Sequence, residues 1–244
     1  MIFSFFKKKK TQDVKSLKVD LHSHLIPSID DGAKDIDESI SLIKSLNDLG
    51  YQKLITTPHI MSDAYKNDAN IIKQGLNLIH ERLIQENIEI SIDVAAEYYL
   101  DDGFLDKLKN SEIMSINNKY LLVETSYISK PMQLEDMIFA ISSAGYIPLM
   151  AHPERYRYIK DMKQEYSRFK ELGVMFQVNI NSFGGYYGKD AYNKALFLSK
   201  EGMIDFLGSD THHLKQTQML KNVLQTKEYQ DIFKHNNILN DTLF

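Results

Sequence analysis

The sequence predicts an α/β fold whose parallel strands close into a barrel, and three observations carry that prediction. Short apolar runs alternate with amphipathic stretches along most of the chain. The alternations number seven, at about 30 residues each, which is the spacing of βαβ units. Nearly every apolar run ends in a histidine or a carboxylate. The first two observations suit an open, doubly wound sheet equally well. The third separates the two folds, because barrel strands converge at their C-terminal ends on one mouth, whereas the outer strands of an open sheet lie too far apart to share a site.

The first run, 17–21, leads into DLHSH. Ile36, Ile40, Ile43, Leu46 and Leu49 then recur at helical spacing, and Gly50 closes that helix. The second run, 53–56, ends in TTPH and is followed by a helix over 71–84. Run 90–95 leads into AEY, and run 120–123 into ETS. A helix over 134–144 stops at Gly145, and run 147–150 leads into AHPER. Run 174–178 leads into NIN, a helix over 192–199 stops before Gly202, and run 205–207 enters GSDTHH. Short, largely apolar runs of this length suit strands covered on both faces.

The chain has 244 residues, 43% apolar and 25% charged, as in soluble globular proteins. Beyond residue 13 there is no Pro/Gly/Ser-rich linker, so 16–244 reads as a single domain behind a tail of residues 1–15. The absence of cysteine excludes disulfides, cysteine-ligated zinc or iron–sulfur sites and every cysteine nucleophile, that of the cysteine-based tyrosine phosphatases included. A net charge of −4, with lysine making up most of the 29 basic residues, offers no groove for nucleic acid. No apolar run reaches the roughly 18 residues of a transmembrane helix, and the N-terminus lacks a signal-peptide pattern, so a cytoplasmic protein is expected. Within the tail, IFSFFKKKK over residues 2–10 sets three phenylalanines before four lysines. Its plainer reading is a solvated tail; its functional reading is weak attachment to the inner membrane, at roughly 1 kcal/mol per lysine.

Residues two apart on a strand point the same way, so His22 and His24 can face one metal from the barrel mouth. Asp20 shares that face, either orienting a histidine or serving as an internal hydrogen-bonding group. Asp30-Asp31-Gly32 reads as a carboxylate pair or as a turn before a helix. His59 follows Thr57-Pro58 at a strand end. Glu97 and Glu124 end runs that are nearly all apolar, where a buried carboxylate is costly unless a cation or hydrogen bonds offset it. His152 in AHPER continues the pattern, and Asp210 and His212 repeat the two-residue spacing on the last strand. His213 should point away from that pair, and only His80 and His235 of the eight histidines lie clearly apart from strand ends.

Nitrogen and oxygen donors without sulfur suit Mn, Fe or Zn, and nine of them are too many for one ion, so the expectation is a multinuclear centre. Clustered cations acidify a bridging water and neutralise phosphoryl oxygens. Two of the chain's four arginines, Arg155 and Arg157, follow His152. A guanidinium forks onto phosphate oxygens, which suits Arg155 at the rim of such a centre; Arg157 reads as a surface charge.

DLHSHLIPSIDDGAKD, TTPH, AAEY, LLVE, AHPERY, QVNINSFGGYYG and GSDTHH, in this order, resemble the polymerase and histidinol phosphatase (PHP) superfamily. Within it they are most similar to the manganese-dependent protein-tyrosine phosphatases of bacterial capsule and exopolysaccharide loci. The resemblance runs from about Lys18 to His213. It implies a distorted seven-stranded (β/α) barrel holding three divalent metals, Mn2+ foremost. His22, His24, Glu97 and Asp210 would hold one; Glu97, bridging, with Glu124 and His152 a second; Asp31, His59 and His212 the third. Arg155 would clamp the phosphate as the catalytic arginine. The implied substrate is a phosphotyrosine protein, the tyrosine-rich tail of a membrane-bound bacterial tyrosine kinase.

The sequence departs from that pattern at one place. Relatives carry an asparagine and then an arginine after the last histidine, whereas here His213, Leu214 and Lys215 follow His212. Lys215 would supply charge for substrate binding but no bidentate fork. Asp30, His213 and Lys215 are weak candidates for a general acid, and a phenolate leaving group of pKa about 10 needs none that is strong. The competing functions are a phosphatase of small esters such as histidinol phosphate and, in a different class, a non-catalytic metal-binding scaffold of polysaccharide export.

Overall fold

A computed structural model describes residues 15–110 and 113–244; the IFSFFKKKK segment lies outside them. Nine strands among the described residues pair in parallel to form two sheets. The smaller has the order β1 (Val19–Asp20), β2 (Lys53–Thr56), β4 (Ser91–Val94). The larger runs β3 (His59–Ile60), β5 (Glu97–Tyr99), β6 (Tyr120–Glu124), β7 (Ile147–Ala151), β8 (Met175–Asn179), β9 (Phe206–Gly208).

All seven expected apolar runs contain a strand. The two additional strands, β3 and β5, follow β2 and β4 after short breaks and divide what was expected to be one barrel sheet. Each break has a local cause. Pro58 has no N–H to give to a ladder, and the Ala96 N–H turns aside to donate to the Met114 carbonyl at 3.0 Å. Main-chain hydrogen bonds still pass between the sheets beyond β1 and β9: Asp210 donates to the His22 carbonyl at 2.8 Å, and His24 to that of Thr211 at 2.9 Å.

Alternate residues of the strands enter two separate cores, as a period of two requires. Leu54, Leu121, Val123 and Val178 pack outward into the larger core with the helices. Val19, Leu21, Ile55, Leu122, Leu149 and Phe206 form a second, smaller core. Truncating a fully buried ring such as Phe206 to alanine would cost about 3–5 kcal/mol.

Eight helices surround these strands among the described residues. In α1 (Ile36–Asp48) the Asp35 side chain accepts from the Glu38 N–H and caps the helix, and the expected stripe Ile40, Ile43, Leu46 is buried. In α2 (Ala69–Gln85) Asp68 caps Asn70 and Ile71, which begins the helix two residues before the apolar pattern does. The helices α4 (Leu134–Ser143) and α6 (Lys189–Lys200) fall where expected. Four others carry weaker apolar patterns: α3 (Phe104–Lys109), α5 (Met162–Glu171), α7 (Leu214–Val223) and α8 (Lys227–His235). Of these, α5 buries only Tyr166 and Phe169, and half of the buried face of α7 is the polar pair Gln216 and Thr217. None of the described helices is long and apolar enough to cross a membrane.

Candidate metal centre

The C-terminal ends of the strands carry the chemistry. Just beyond β1, His22 and His24 bring their Nε2 atoms to 3.3 Å, as the two-residue spacing predicted. Each ring is fixed from behind. His22 donates from Nδ1 to Gln177 Oε1 at 2.6 Å, and His24 from Nδ1 to Asp30 Oδ2 at 2.8 Å. Both Nε2 atoms therefore face the centre, where each offers a lone pair to a cation once its ring is neutral.

The Asp30-Asp31-Gly32 segment is both of the things the sequence allowed. Asp30 makes the turn: its Oδ1 accepts from the Gly32 N–H at 3.0 Å, and its Oδ2 from the His59 N–H at 3.1 Å. Asp31 faces the site, with Oδ1 at 3.3 Å from His59 Nε2 and 3.4 Å from His212 Nε2. Gly32 is required there, since any Cβ would collide with the His24 carbonyl.

Glu97, on β5, lies at the middle of the cluster. Its Oε2 is 3.3 Å from His22 Nε2 and 3.2 Å from His59 Nδ1, and its Oε1 is 3.1 Å from His152 Nε2. Glu124, at the end of β6, approaches His59 Nδ1 at 3.1 Å and His152 Nε2 at 3.7 Å. Asp210 completes the ring, with Oδ1 at 3.5 Å from both His22 Nε2 and His212 Nδ1. His152 and Asp210 both hold positive φ, 34° and 50°, in the left-handed region. For residues other than glycine this costs of order 1–3 kcal/mol each.

Electrostatics bind the cluster together. Burial alone would depress the histidines, but the carboxylates of Glu97 and Asp210 outweigh it and raise His22 to about 9. Glu97, Asp31 and Glu124 likewise overcome burial and lift His59 to about 12. Burial pushes the Glu97 carboxyl up, yet His22, His59 and the His152 hydrogen bond hold it well below the usual carboxylate range. Carboxylates buried together in this way call for positive charge close by, from protons or from cations.

The donors fit divalent cations. Four groups bring ligand atoms within 4.8 Å of one another: His24, Asp31, His59 and His212; His22, His24 and Asp210; His22, Glu97 and His152; and His59, Glu97 and Glu124. All nine residues singled out from the sequence belong to at least one group. The grouping differs slightly from the one the resemblance implied, since His22 rather than Glu124 joins Glu97 and His152. His59 Nδ1, Glu97 Oε2 and Glu124 Oε1 are buried without a hydrogen-bond partner, although His59 Nδ1 stands 3.2 Å from the Glu97 oxygen and 3.1 Å from the Glu124 oxygen. Close approach without hydrogen-bond alignment is what lone pairs aimed at a common point produce.

Arg155 reaches this ring from the short 3₁₀ turn Pro153–Arg155, and its Nη1 donates to Asp210 Oδ2 at 3.0 Å. Its guanidinium lies between two tyrosine rings, 4.4 Å from the centroid of Tyr127 and 4.3 Å from that of Tyr187. A cavity of about 890 Å³ opens beside the cluster; Asp31, His59, Glu124 and Arg155 line one part of it and Tyr65, Tyr99 and Tyr127 add aromatic walls.

The profile of the family described as capsular polysaccharide synthesis, CpsB/CapC, covers residues 18–237. The chain belongs to the CpsB/CapC family. The tyrosine-protein phosphatase YwqE of Bacillus subtilis is 30% identical over 198 residues, which is 81% of this chain and 78% of that protein. The tyrosine-protein phosphatase CpsB of Streptococcus agalactiae is 26% identical over 203 residues, 80% of this chain and 83% of that one. A solved chain from work on YwqE of Bacillus subtilis and CpsB of Streptococcus pneumoniae, described as unique metal-dependent tyrosine phosphatases, superposes with a TM-score of 0.78 at 28% identity. That superposition covers 90% of this chain and 96% of the other. The CpsB/CapC membership accounts for the mixed α/β architecture with parallel sheets.

Lys215 does not join the site. It lies exposed in the first turn of α7 and is absent from the walls of the cavity. His213 is exposed beside His212. Asp20 orients no histidine side chain; it accepts from the Ser209 N–H at 2.8 Å and the Ser209 hydroxyl at 2.6 Å, and burial raises it to about 6. Arg157, read as a surface charge, is exposed but lines the cavity. The sequence reading passed over the polar frame behind the cluster. Gln177 donates to Asn179 Oδ1 at 2.8 Å, and Asn179 donates to Asp210 Oδ2 at 2.6 Å. The polar Gln177 and Asn179, two apart in FQVNIN, were the available signal.

Proposed function

We propose that this chain is a metal-dependent phosphatase that hydrolyses phosphotyrosine in a protein substrate and acts in capsule or exopolysaccharide synthesis. One observation carries the reading: nine His, Asp and Glu side chains, all buried or partly buried except Asp31, cluster beside a cavity that Asp31, His59, Glu124 and Arg155 line. The names of the relatives agree with it.

We assign His22, His24, Glu97 and Asp210 to a first cation, Glu97, Glu124 and His152 to a second, and Asp31, His59 and His212 to a third, with Mn2+ as the native ion ahead of Fe or Zn. Bound cations supply a water acidified towards neutral pH and positive charge for the phosphoryl oxygens. The chain's own residues do the remaining work. Arg155, held between Tyr127 and Tyr187, forks onto phosphoryl oxygens and stabilises the charge that develops there. Gln177 and Asp30 fix the tautomers of His22 and His24. Tyr65 and Tyr99 offer ring faces to the phenyl group of the substrate. The departing phenolate, of pKa about 10, leaves without a strong general acid, and a cavity walled by tyrosines suits an aromatic ester better than histidinol phosphate.

We read the two sheets as one distorted seven-stranded barrel, with β2 continuing into β3 and β4 into β5. The hydrogen bonds between the sheets and the separate inner core support this. Residues 16–244 then form one catalytic domain behind the tail 1–15. The substrate we favour is the tyrosine-rich tail of a membrane-bound tyrosine kinase, met at the cytoplasmic face of the inner membrane, with residues 2–10 giving weak attachment.

The test is phosphate release by protein stripped with EDTA and reloaded with Mn2+. A phosphotyrosine peptide should be cleaved with higher kcat/KM than a phosphoserine peptide or histidinol phosphate, the stripped protein should be inactive, and iodoacetamide should have no effect. A preference for histidinol phosphate, or full activity without metal, would overturn the reading.

A further inference from the structure

The cavity is larger than the cluster needs. Pockets of about 300–1,000 Å³ take drug-sized ligands, so a volume near 890 Å³ has room for a phosphorylated ring and for neighbouring substrate groups. Besides Arg155 its wall carries three further cations, Arg157, Lys160 and Lys189. All three are exposed.

None of the three has an ion-pair partner among the described residues, and the carboxylates that share the cavity are engaged elsewhere. Asp190 holds the Lys194 ammonium at 2.7 Å. Asp31 and Glu124 face the histidines. The main chain under two of the cations is anchored: the Arg157 N–H donates to the Tyr127 carbonyl at 2.7 Å, and the Lys160 N–H to Glu165 Oε1 at 2.8 Å. Lys189 is the first residue of α6. Three positive charges are thus set on fixed backbone along one cavity, in a chain whose net charge is −4. A guanidinium and two ammonium groups in this arrangement attract an anion, and a carboxylate or a phosphoryl group meets that chemistry equally.

We propose that Arg157, Lys160 and Lys189 form a specificity rim that binds a second negative charge on the substrate, beside the phosphotyrosine being hydrolysed. This rests on the phosphotyrosine reading and deepens it. The rim makes a multiply phosphorylated or acidic stretch of chain the preferred substrate. An exposed charge contact is worth roughly a two- to threefold gain, so three together give a preference of about tenfold that weakens with salt.

The experiment uses the full chain loaded with Mn2+ and three synthetic peptides that share one phosphotyrosine and differ at a position two residues away, which is serine, glutamate or a second phosphotyrosine. The expected result is a kcat/KM about tenfold higher for the doubly phosphorylated peptide than for the serine peptide. In R157A/K160A/K189A that ratio should collapse to within about twofold, while Lys73→Ala, on the exposed side of α2, should keep it. An advantage for both anionic peptides identifies a general anion rim, and an advantage for the second phosphotyrosine alone identifies a phosphoryl rim. Equal kcat/KM on all three peptides, or a ratio that survives in the triple variant, overturns the rim while leaving the phosphatase reading intact. No phosphate from any peptide or from p-nitrophenyl phosphate removes both.

Discussion

Arg155 and His22 meet the same carboxylate from opposite sides: Asp210 accepts the Arg155 guanidinium on Oδ2 at 3.0 Å and turns Oδ1 to His22 Nε2 at 3.5 Å. Asn179 and Tyr187 also donate to that Oδ2, at 2.6 and 3.2 Å. Asp210 would therefore stay hydrogen-bonded if the arginine were removed, which separates substrate binding from metal binding at this point of the site.

Arg155→Ala should accordingly keep its metal content and lose kcat/KM by about 10²–10³, the usual cost of deleting a preorganised stabiliser of transition-state charge. Arg155→Lys should recover only part, because an ammonium cannot fork. Tyr127→Leu should cost less than Arg155→Ala, and Tyr127→Phe less again, since the ring rather than the hydroxyl stacks on the guanidinium. Metal analysis beside steady-state kinetics checks all of these, and wild-type kinetics in the alanine variant would refute the role.

Glu97 is fully buried and reaches His22, His59 and His152 with its two oxygens. Glu97→Ala should lose bound metal and at least about 100-fold in turnover, because even partners behind a metal ligand cost about 10–100-fold. Glu81→Ala, exposed on α2, should change neither. Retention of metal and turnover in the Glu97 variant would show that the centre is assembled from other residues.

In the metal-free protein His22 is raised from an ordinary 6.5 to about 9. A histidine raised on folding contributes stability that is complete below its unfolded pKa and disappears as pH rises through the folded value. Protein stripped with EDTA should therefore lose Tm between about pH 6.5 and 9 through this group. Metal competes with the same protons, so apparent Mn2+ affinity should climb across that window and binding at pH 7 should release protons. Calorimetric titration in buffers of different ionisation enthalpy measures that release, and proton-neutral binding would contradict the assignment.

Gly208 ends β9 under the cluster. A Cβ there would stand 2.5 Å from Gln177 Nε2 and 2.8 Å from His22 Cβ. Gly208→Ala should push Gln177 off His22, cost about 1–3 kcal/mol in stability and weaken metal binding about 10–100-fold. Thermal unfolding and metal titration of the variant check both effects, and no change in either would mean that the wall can move freely.

Much of the fold was legible because burial and chemistry leave local marks. The runs at 53–56 and 120–123 contain no charge apart from Lys53 at one edge, and each became a strand. Asp68 and Asp35 stand where helix caps belong. The helices α5 and α7 left weaker marks, because α5 buries two aromatic rings in a largely charged segment and α7 buries glutamine and threonine. Neither division was expected: Pro58 carried a local signal for that of β2 from β3, whereas that of β4 from β5 depends on the distant Met114 carbonyl.

The sequence by itself determined which residue types were available: eight nitrogen and oxygen donors at or near strand ends with Asp31 in a turn, no thiol, and an arginine three residues after His152. A strand's period of two was enough to set His22 and His24 side by side. Only the tertiary structure decided that Glu97 stands between His22, His59 and His152, that Asp30 holds a ring while Asp31 faces the site, and that Lys215 stays outside. The physical reason is that residue type and local period are properties of a few consecutive residues. Distances between strand ends depend instead on register, breaks and helix packing summed over the whole chain.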